Sequence, residues 1–215
     1  MKKFGLPVLI LIMSVLYIFF IPSDPHGVKL LFKLIPMWLI IVYAYLQFPA
    51  DDNRKRYDWL LLLGLFFCML GDGLLDHFII GLSAFLIGHL FYMAAFFYQW
   101  RFSKLRFATI IPIALYAVFM STRLIPALKD KDDTALIIPV LIYLIVISLM
   151  CWSAIMSGHK WATIGSILFV ISDSILSWNM FVSDVAYSGV LIMATYYSAQ
   201  FLMAYSIRRA IPRAR

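Results

Sequence analysis

Asp72 and Asp173 are the residues in this sequence best placed to do chemistry, because each lies in the last turns of an otherwise apolar stretch long enough to cross a bilayer. An aspartate at the middle of a membrane helix costs about 2.5–3.5 kcal/mol, less toward the ends, so such residues face a cavity or a partner rather than lipid. Two carboxyls at one depth suit three tasks: a general acid paired with a general base, a proton relay, or a structural hydrogen bond between helices. Their surroundings match. Gly64 precedes Asp72, and Gly165 precedes Asp173, by the same eight residues; a small residue (Gly71, Ser172) stands just before each aspartate, and Leu75 and Leu176 follow at one offset. We read this as a weak internal repeat, with chance similarity of two apolar helices as the alternative.

Other polar groups fall near the same depth. Lys33 lies close to the start of the second apolar stretch. It either snorkels to the interface or holds an anion inside. His89 is eight residues into the fourth stretch, roughly 12 Å at 1.5 Å per residue. It is either a satisfied core histidine or a group that relays a proton. Asp76 is one turn past Asp72 on the same helical face, at the border of a loop where solvation is the simpler account. Ser172 and Asn179 are within reach of Asp173, with packing or capping as the alternative. Tyr92, Tyr196 and Tyr197 are core or interfacial aromatics with a possible share in binding. With only His89 and the two aspartates as ligands, and no paired-histidine motif, neither a metal nor another cofactor is expected.

The elements that carry these groups follow from composition. The chain has 215 residues, is 64% hydrophobic and 13% charged, and has mean hydropathy +0.92. A soluble domain is about half apolar and about a quarter charged, so the excess apolar surface requires lipid. A crossing needs about 20 apolar residues. Spans are predicted at 4–22, 29–48, 58–76, 81–99, 107–125, 135–157, 160–178 and 187–207. The expected fold is therefore all-α: a polytopic integral membrane protein of about eight transmembrane helices, one domain over 1–215, in two parallel four-helix halves set by the repeat. The start, Met1-Lys2-Lys3 and then apolar residues, has no small-residue cleavage site before Pro22-Ser23-Asp24-Pro25, and reads as an uncleaved first span.

The net charge of +7 is topological and does not point to nucleic acid. With eight spans, thirteen Lys and Arg fall on the N-terminal side: Lys2, Lys3, Arg54 to Arg56, Arg101, Lys104, Arg106, Lys160, Arg208, Arg209, Arg213 and Arg215. Four fall opposite: Lys29, Arg123, Lys129 and Lys131. The positive-inside rule then puts both termini in the cytoplasm, in a cell membrane, with the aspartates toward the outer face. All eleven acidic residues are aspartates; those other than Asp72, Asp76 and Asp173 read as solvated loop or flank charges, Asp58 among them. Cys68 and Cys151 lie in apolar stretches and read as packing rather than as a disulfide.

The segment Gly71-Asp72-Gly73-Leu74-Leu75, followed by Phe78-Ile79-Ile80-Gly81-Leu82-Ser83-Ala84-Phe85-Leu86-Ile87-Gly88-His89-Leu90-Phe91-Tyr92, resembles the signature of the YhhN-type lysoplasmalogenase family. Gly165 to Leu176 is similar to its second signature. Phe32-Lys33-Leu34-Ile35-Pro36-Met37 is similar to its Lys-Pro segment, with the proline here three residues after the lysine. The resemblance covers nearly the whole chain. It implies hydrolysis of the vinyl ether of lysoplasmalogens to a fatty aldehyde and a glycerophospho-ethanolamine or -choline, with a lysophospholipid as the membrane-held partner. It also implies that Asp72 and Asp173 are the family's paired intramembrane aspartates. Such chemistry needs one protonated carboxyl to give a proton to the β carbon, and one carboxylate to stabilise the cation and activate water. A small proton-coupled carrier and a lipid-sensing protein are the rival readings, since intramembrane Asp, Lys and His serve relays as well.

Overall fold

The computed structural model describes residues 2–22, 24–48 and 56–207, with side chains described from residue 5 onward. Arg54, Lys55 and the basic residues from Arg208 to Arg215, on which much of the charge asymmetry rests, lie outside the described residues, as do the side chains of Lys2 and Lys3. The described chain is helical throughout: α1 (Lys2–Phe19), α2 (His26–Leu46), α3 (Arg56–Leu74), α4 (Phe78–Tyr98), α5 (Lys104–Ala108), α6 (Ile110–Asp130), α7 (Ile137–Ser157), α8 (Lys160–Ser177) and α9 (Ser188–Ile207). A 3₁₀ turn (Thr134–Leu136) leads into α7, and a π-helical turn (Trp178–Val182) prolongs α8. With α5 and α6 taken as one broken rod, seven of the eight rods are long and apolar enough to cross a membrane; α1 adds a shorter apolar helix over Gly5–Phe19. Helices satisfy every backbone group internally, which lipid demands.

Two boundaries differ from expectation. The fifth span begins as the short α5, and α6 starts after a break at Thr109. Pro112 then sits in the first turn of α6, where its missing N–H is not needed. Pro126, read as the start of a loop, lies inside α6, which runs on to Asp130. A proline near a helix end removes one backbone bond without ending the helix, because the apolar face of Leu124 and Leu128 is still buried.

The tightest pairings are α3 with α4 and α8 with α9, the helix pairs whose first members carry the matched Gly64–Asp72 and Gly165–Asp173 segments. Their glycines explain the closeness. A Cβ on Gly64 would collide with the Tyr92 ring of α4. A Cβ on Gly165 would stand 3.0 Å from the Ala199 carbonyl of α9 and 3.3 Å from the Leu202 Cβ. Without a hydrophobic drive between helices in lipid, such close approach through small residues is what holds neighbours together. The remaining contacts follow the same pattern: α4 packs on α7, and α9 packs on α2. Asp58, expected in solvent, is only 2% exposed. It shares the inward face of α3 with Leu61, Leu65 and Asp72, because 14 residues are almost four whole turns.

Candidate active site

The cavity forms at the end of the bundle where α1 and α3 finish and α2 and α9 begin. Asp72 and Lys33 face it from neighbouring helices. Lys33 Nζ lies 3.3 Å from Asp72 Oδ1 and donates to the Asp72 main-chain carbonyl at 3.2 Å. Two features shape the turn carrying Lys33. Pro36 has no N–H to offer Phe32, which loosens the local ladder, and the Tyr197 hydroxyl donates to the Lys33 carbonyl at 2.8 Å. Tyr17 stands edge-on to Tyr197 at 6.1 Å and closes the cavity on the α1 side. Asp72 is 5% exposed, and its second oxygen, Oδ2, is buried with no hydrogen-bond partner among the described residues. A buried carboxylate oxygen without a donor is expensive and is filled in practice by water or a ligand hydroxyl.

Asp173 reaches the same cavity from α8. The cavity holds about 190 Å³ and is lined by Tyr17, Lys33, Asp72, Ser172, Asp173 and Tyr196 together with Leu75, Phe85, Leu176, Gly189, Ile192 and Met193. Asp173 has a partner of a different kind from that of Asp72: the Tyr143 hydroxyl of α7 donates to its Oδ2 in a short hydrogen bond. One carboxyl is thus matched with a cation, the other with a neutral donor. With Tyr143 on Oδ2, a transferable proton on Asp173 belongs on Oδ1. Tyr143 carries no mark in the sequence; it is one more aromatic in an apolar span, thirty residues before its partner.

The other candidates divide. Ser172 lines the cavity, but its hydroxyl donates to the Ile192 carbonyl at 2.9 Å, fastening α8 to α9. His89 is fully buried behind the cavity rather than on its wall. Its Nδ1 meets the Phe85 carbonyl at 2.6 Å and so must carry the proton, while Nε2 has no hydrogen-bond partner among the described residues. Its ring stands edge-on to Phe169 at 4.6 Å and to Tyr143 at 5.3 Å, so it touches the site through Tyr143. Tyr92 lies deeper and donates to Gln200 Oε1 at 2.6 Å. Asp76 falls beyond the end of α3, is 62% exposed and pairs with His26 at 3.3 Å. Asn179 is in the π turn and accepts from the Val185 N–H at 2.9 Å, a capping role. Asp76 leaves the cavity because α3 ends at Leu74, so the one-turn spacing that would put it beneath Asp72 no longer applies.

A second, narrower space abuts the cavity. It is an apolar slot of about 60 Å³ between α4, α6, α7 and α8. Leu75, Phe85, Asp173 and Leu176 border both spaces.

Fold and cavity together define a polytopic helical membrane protein with two acidic side chains and a lysine gathered inside one half of the bundle. Residues 28–207 match the YhhN family, and the chain belongs to that family. The lysoplasmalogenase TMEM86A of Homo sapiens is 32% identical over 212 residues, covering 89% of this chain and 83% of its own length. The lysoplasmalogenase TMEM86B of Mus musculus is 29% identical over 204 residues, covering 93% and 84%. A lysoplasmalogenase of Mycobacterium bovis is 27% identical over 178 residues, covering 78% and 66%. No solved structure matches the chain.

Proposed function

We propose that the protein hydrolyses the vinyl ether bond of lysoplasmalogens, releasing a fatty aldehyde and a glycerophospho-ethanolamine or -choline. The observation that carries this reading is the pair of unlike carboxyls on one intramembrane cavity, Asp72 beside Lys33 and Asp173 beside Tyr143. The names of the relatives support it. A vinyl ether is cleaved by protonating its β carbon, which leaves an oxocarbenium ion on the carbon bonded to oxygen. Water adds to that carbon and loses a proton to the carboxylate. The hemiacetal then collapses: its hydroxyl proton returns to the first carboxyl, and the second carboxyl protonates the departing glycerol oxygen. Both groups end as they began, and the net reaction consumes one water.

Lys33 has three donors, enough to hold Asp72 as a carboxylate and meet the substrate phosphate as well. The unpartnered Asp72 Oδ2 is the acceptor available to the attacking water. Burial of the site in lipid strengthens these charge contacts, since little water competes with them. Incubating the purified protein with lysoplasmalogen and following aldehyde and head group by mass spectrometry tests the reading. Aldehyde should appear in step with the glycerophospho product; an intact substrate pool, with labelled solutes moving across proteoliposomes instead, would favour a carrier.

Tyr143→Phe removes the hydroxyl that orients Asp173 and leaves the ring in place. Asp173 becomes a carboxylate as it gives up its proton, and a hydrogen bond to a charged group is worth about 1.5–3 kcal/mol. We expect kcat to fall about tenfold to a hundredfold with KM little changed. A KM effect with kcat intact would place Tyr143 in substrate binding instead.

For topology we propose that both termini face the cytoplasm of a cell membrane and that the cavity lies in the outer half. The segregation of thirteen basic residues from four supports this. A membrane-impermeant reagent should label a cysteine placed between Lys129 and Asp133 in intact cells; labelling only after lysis would invert the arrangement.

A further inference from the structure

Asp173 stands at the junction of two spaces of opposite character, and this juxtaposition gives the substrate a direction. On one side is the polar cavity with Lys33 and Asp72. On the other is the apolar slot, walled by Leu82 of α4, Leu124 of α6, Val140 and Leu144 of α7 and Phe181 of the π turn. The slot runs along a seam in the packing. Phe85 and Ile147 on its inner wall belong to the main apolar core, whereas Leu124, Val140, Leu144 and Phe181 belong to a separate cluster.

We propose that the slot, whose 60 Å³ has room for about four to six carbons, takes the first carbons of the hydrocarbon chain of the 1-alkenyl group, which sets Asp173 beside the β carbon and makes it the proton donor. The inference rests on the vinyl-ether reading and deepens it. In the substrate the order of groups is phosphate, glycerol, ether oxygen, oxygen-bearing carbon, β carbon, chain. In the protein the order is Lys33, Asp72, Asp173, slot. Laid along each other, they put the phosphate at Lys33 and the cation-forming carbon nearest Asp72. The carbon that takes the proton, being on the chain side, falls to Asp173. The reverse placement would drive a charged phosphate into a slot whose polar edge is Asp173, Tyr143, Tyr116 and Ser177, with no cation among its lining residues.

The groove between α1 and α9 is the competing position for the chain. It is wider, about 450 Å³, and lined by residues such as Leu11, Val15 and Phe201. Tyr17 and Tyr197 stand between it and the carboxyls, and it does not border Asp173. A chain leaving lipid gains no hydrophobic energy by entering a slot, because both surroundings are apolar. The slot therefore acts through steric fit, and its signature is a dependence on chain length.

The test uses lysoplasmalogens of long alkenyl chain and of a three-carbon alkenyl chain, too short to fill the slot, with Leu82→Trp, Val140→Phe and, on the groove, Leu11→Trp. Either slot variant should lower the long-to-short ratio of kcat/KM about tenfold or more, the scale at which an apolar pocket discriminates by size. Leu11→Trp should leave the ratio as it is. An unchanged ratio in the slot variants, or a change caused by the groove variant, overturns the slot. Should the slot variants fail to fold, a saturated ether analogue with a diazirine on the third or fourth carbon of the chain, applied to the native protein, decides the matter. Crosslinks within α6 or α7 support the proposal, and crosslinks within α1 or α9 overturn it. The donor assignment has its own readout. Formic acid should restore turnover to Asp173→Asn increasingly as pH falls, because the undissociated acid replaces the donor. Asp72→Asn should instead respond to formate anion, increasingly as pH rises; the opposite pattern exchanges the two roles. Native protein that releases aldehyde from no chain length sinks the hydrolase reading itself, whereas active protein with an unmoved ratio sinks only the slot.

Discussion

On the proposed mechanism, Asp72→Asn and Asp173→Asn should each lower aldehyde release by about 10² to 10⁴-fold, the usual contribution of a general acid or base. Asparagine keeps the size of the side chain and some of its hydrogen bonds. It can neither give up a carboxylic proton nor carry the charge that balances Lys33, which lies 3.3 Å from Asp72. In the proposed proton cycle the two groups act together, so their losses should not add, and the double variant should be little worse than the worse single one. Turnover in D₂O should slow if protonation of carbon limits the rate. One deuterium should appear on the carbon next to the aldehyde, after correction for back-exchange. Wild-type aldehyde release from either variant would remove that aspartate from the mechanism. A product without that deuterium would exclude β-carbon protonation by a solvent-exchangeable acid. Lys33 could shed its partner in Asp72→Asn and disturb the fold, so melting temperature in detergent should be read beside the rate.

The largest effect on folding should come from Gly64→Val. A Cβ at this position runs into the ring of Tyr92, which is fully buried and tied to Gln200 by a 2.6 Å hydrogen bond. The ring cannot swing away without breaking that bond and exposing a polar group to an apolar interior. Overpacking costs about 1–3 kcal/mol, and an orphaned buried hydroxyl adds about 1–3 kcal/mol. Together these are comparable with much of the stability of an ordinary domain, about 5–15 kcal/mol. Folded protein recovered in detergent should fall steeply. Gly27→Ala is the control, because nothing lies within 4 Å of a Cβ there. Equal yields and equal melting for both variants would show that α3 and α4 are not held by close contact at Gly64.

Much of the architecture was legible in the sequence because crossing a membrane is a local property. Length and hydropathy alone decide that a stretch such as His26–Leu46 can span, and both predict a helix, since lipid leaves its backbone no other partner. Counting residues along each helix put Asp72 and Asp173 in the last turns of their spans, and both line one cavity there. Close-packing glycines were visible as the repeat of Gly64 and Gly165, though not what each would touch.

Which way a residue faces was not legible. In these helices the lipid side and the core side are both apolar, so sequence pattern gives no rotation about the axis: Leu61 is fully buried, while Leu63, two positions on, is 38% exposed. Rotation decided that Asp58 turns inward and that His89 sits behind the cavity instead of on its wall. It also brought Tyr143 of α7 onto Asp173 of α8. The end of α3 at Leu74 decided that Asp76 meets His26 at the surface instead of Lys33 inside. The slot has no counterpart in any single segment, because four helices and the π turn supply its walls. Composition and spacing determined that this chain is a helical membrane protein with an aspartate in the last turns of each of two apolar helices. Only the packing of helices with no distinct outer face decided which side chains those residues meet, because that choice depends on steric fit between segments far apart in the chain.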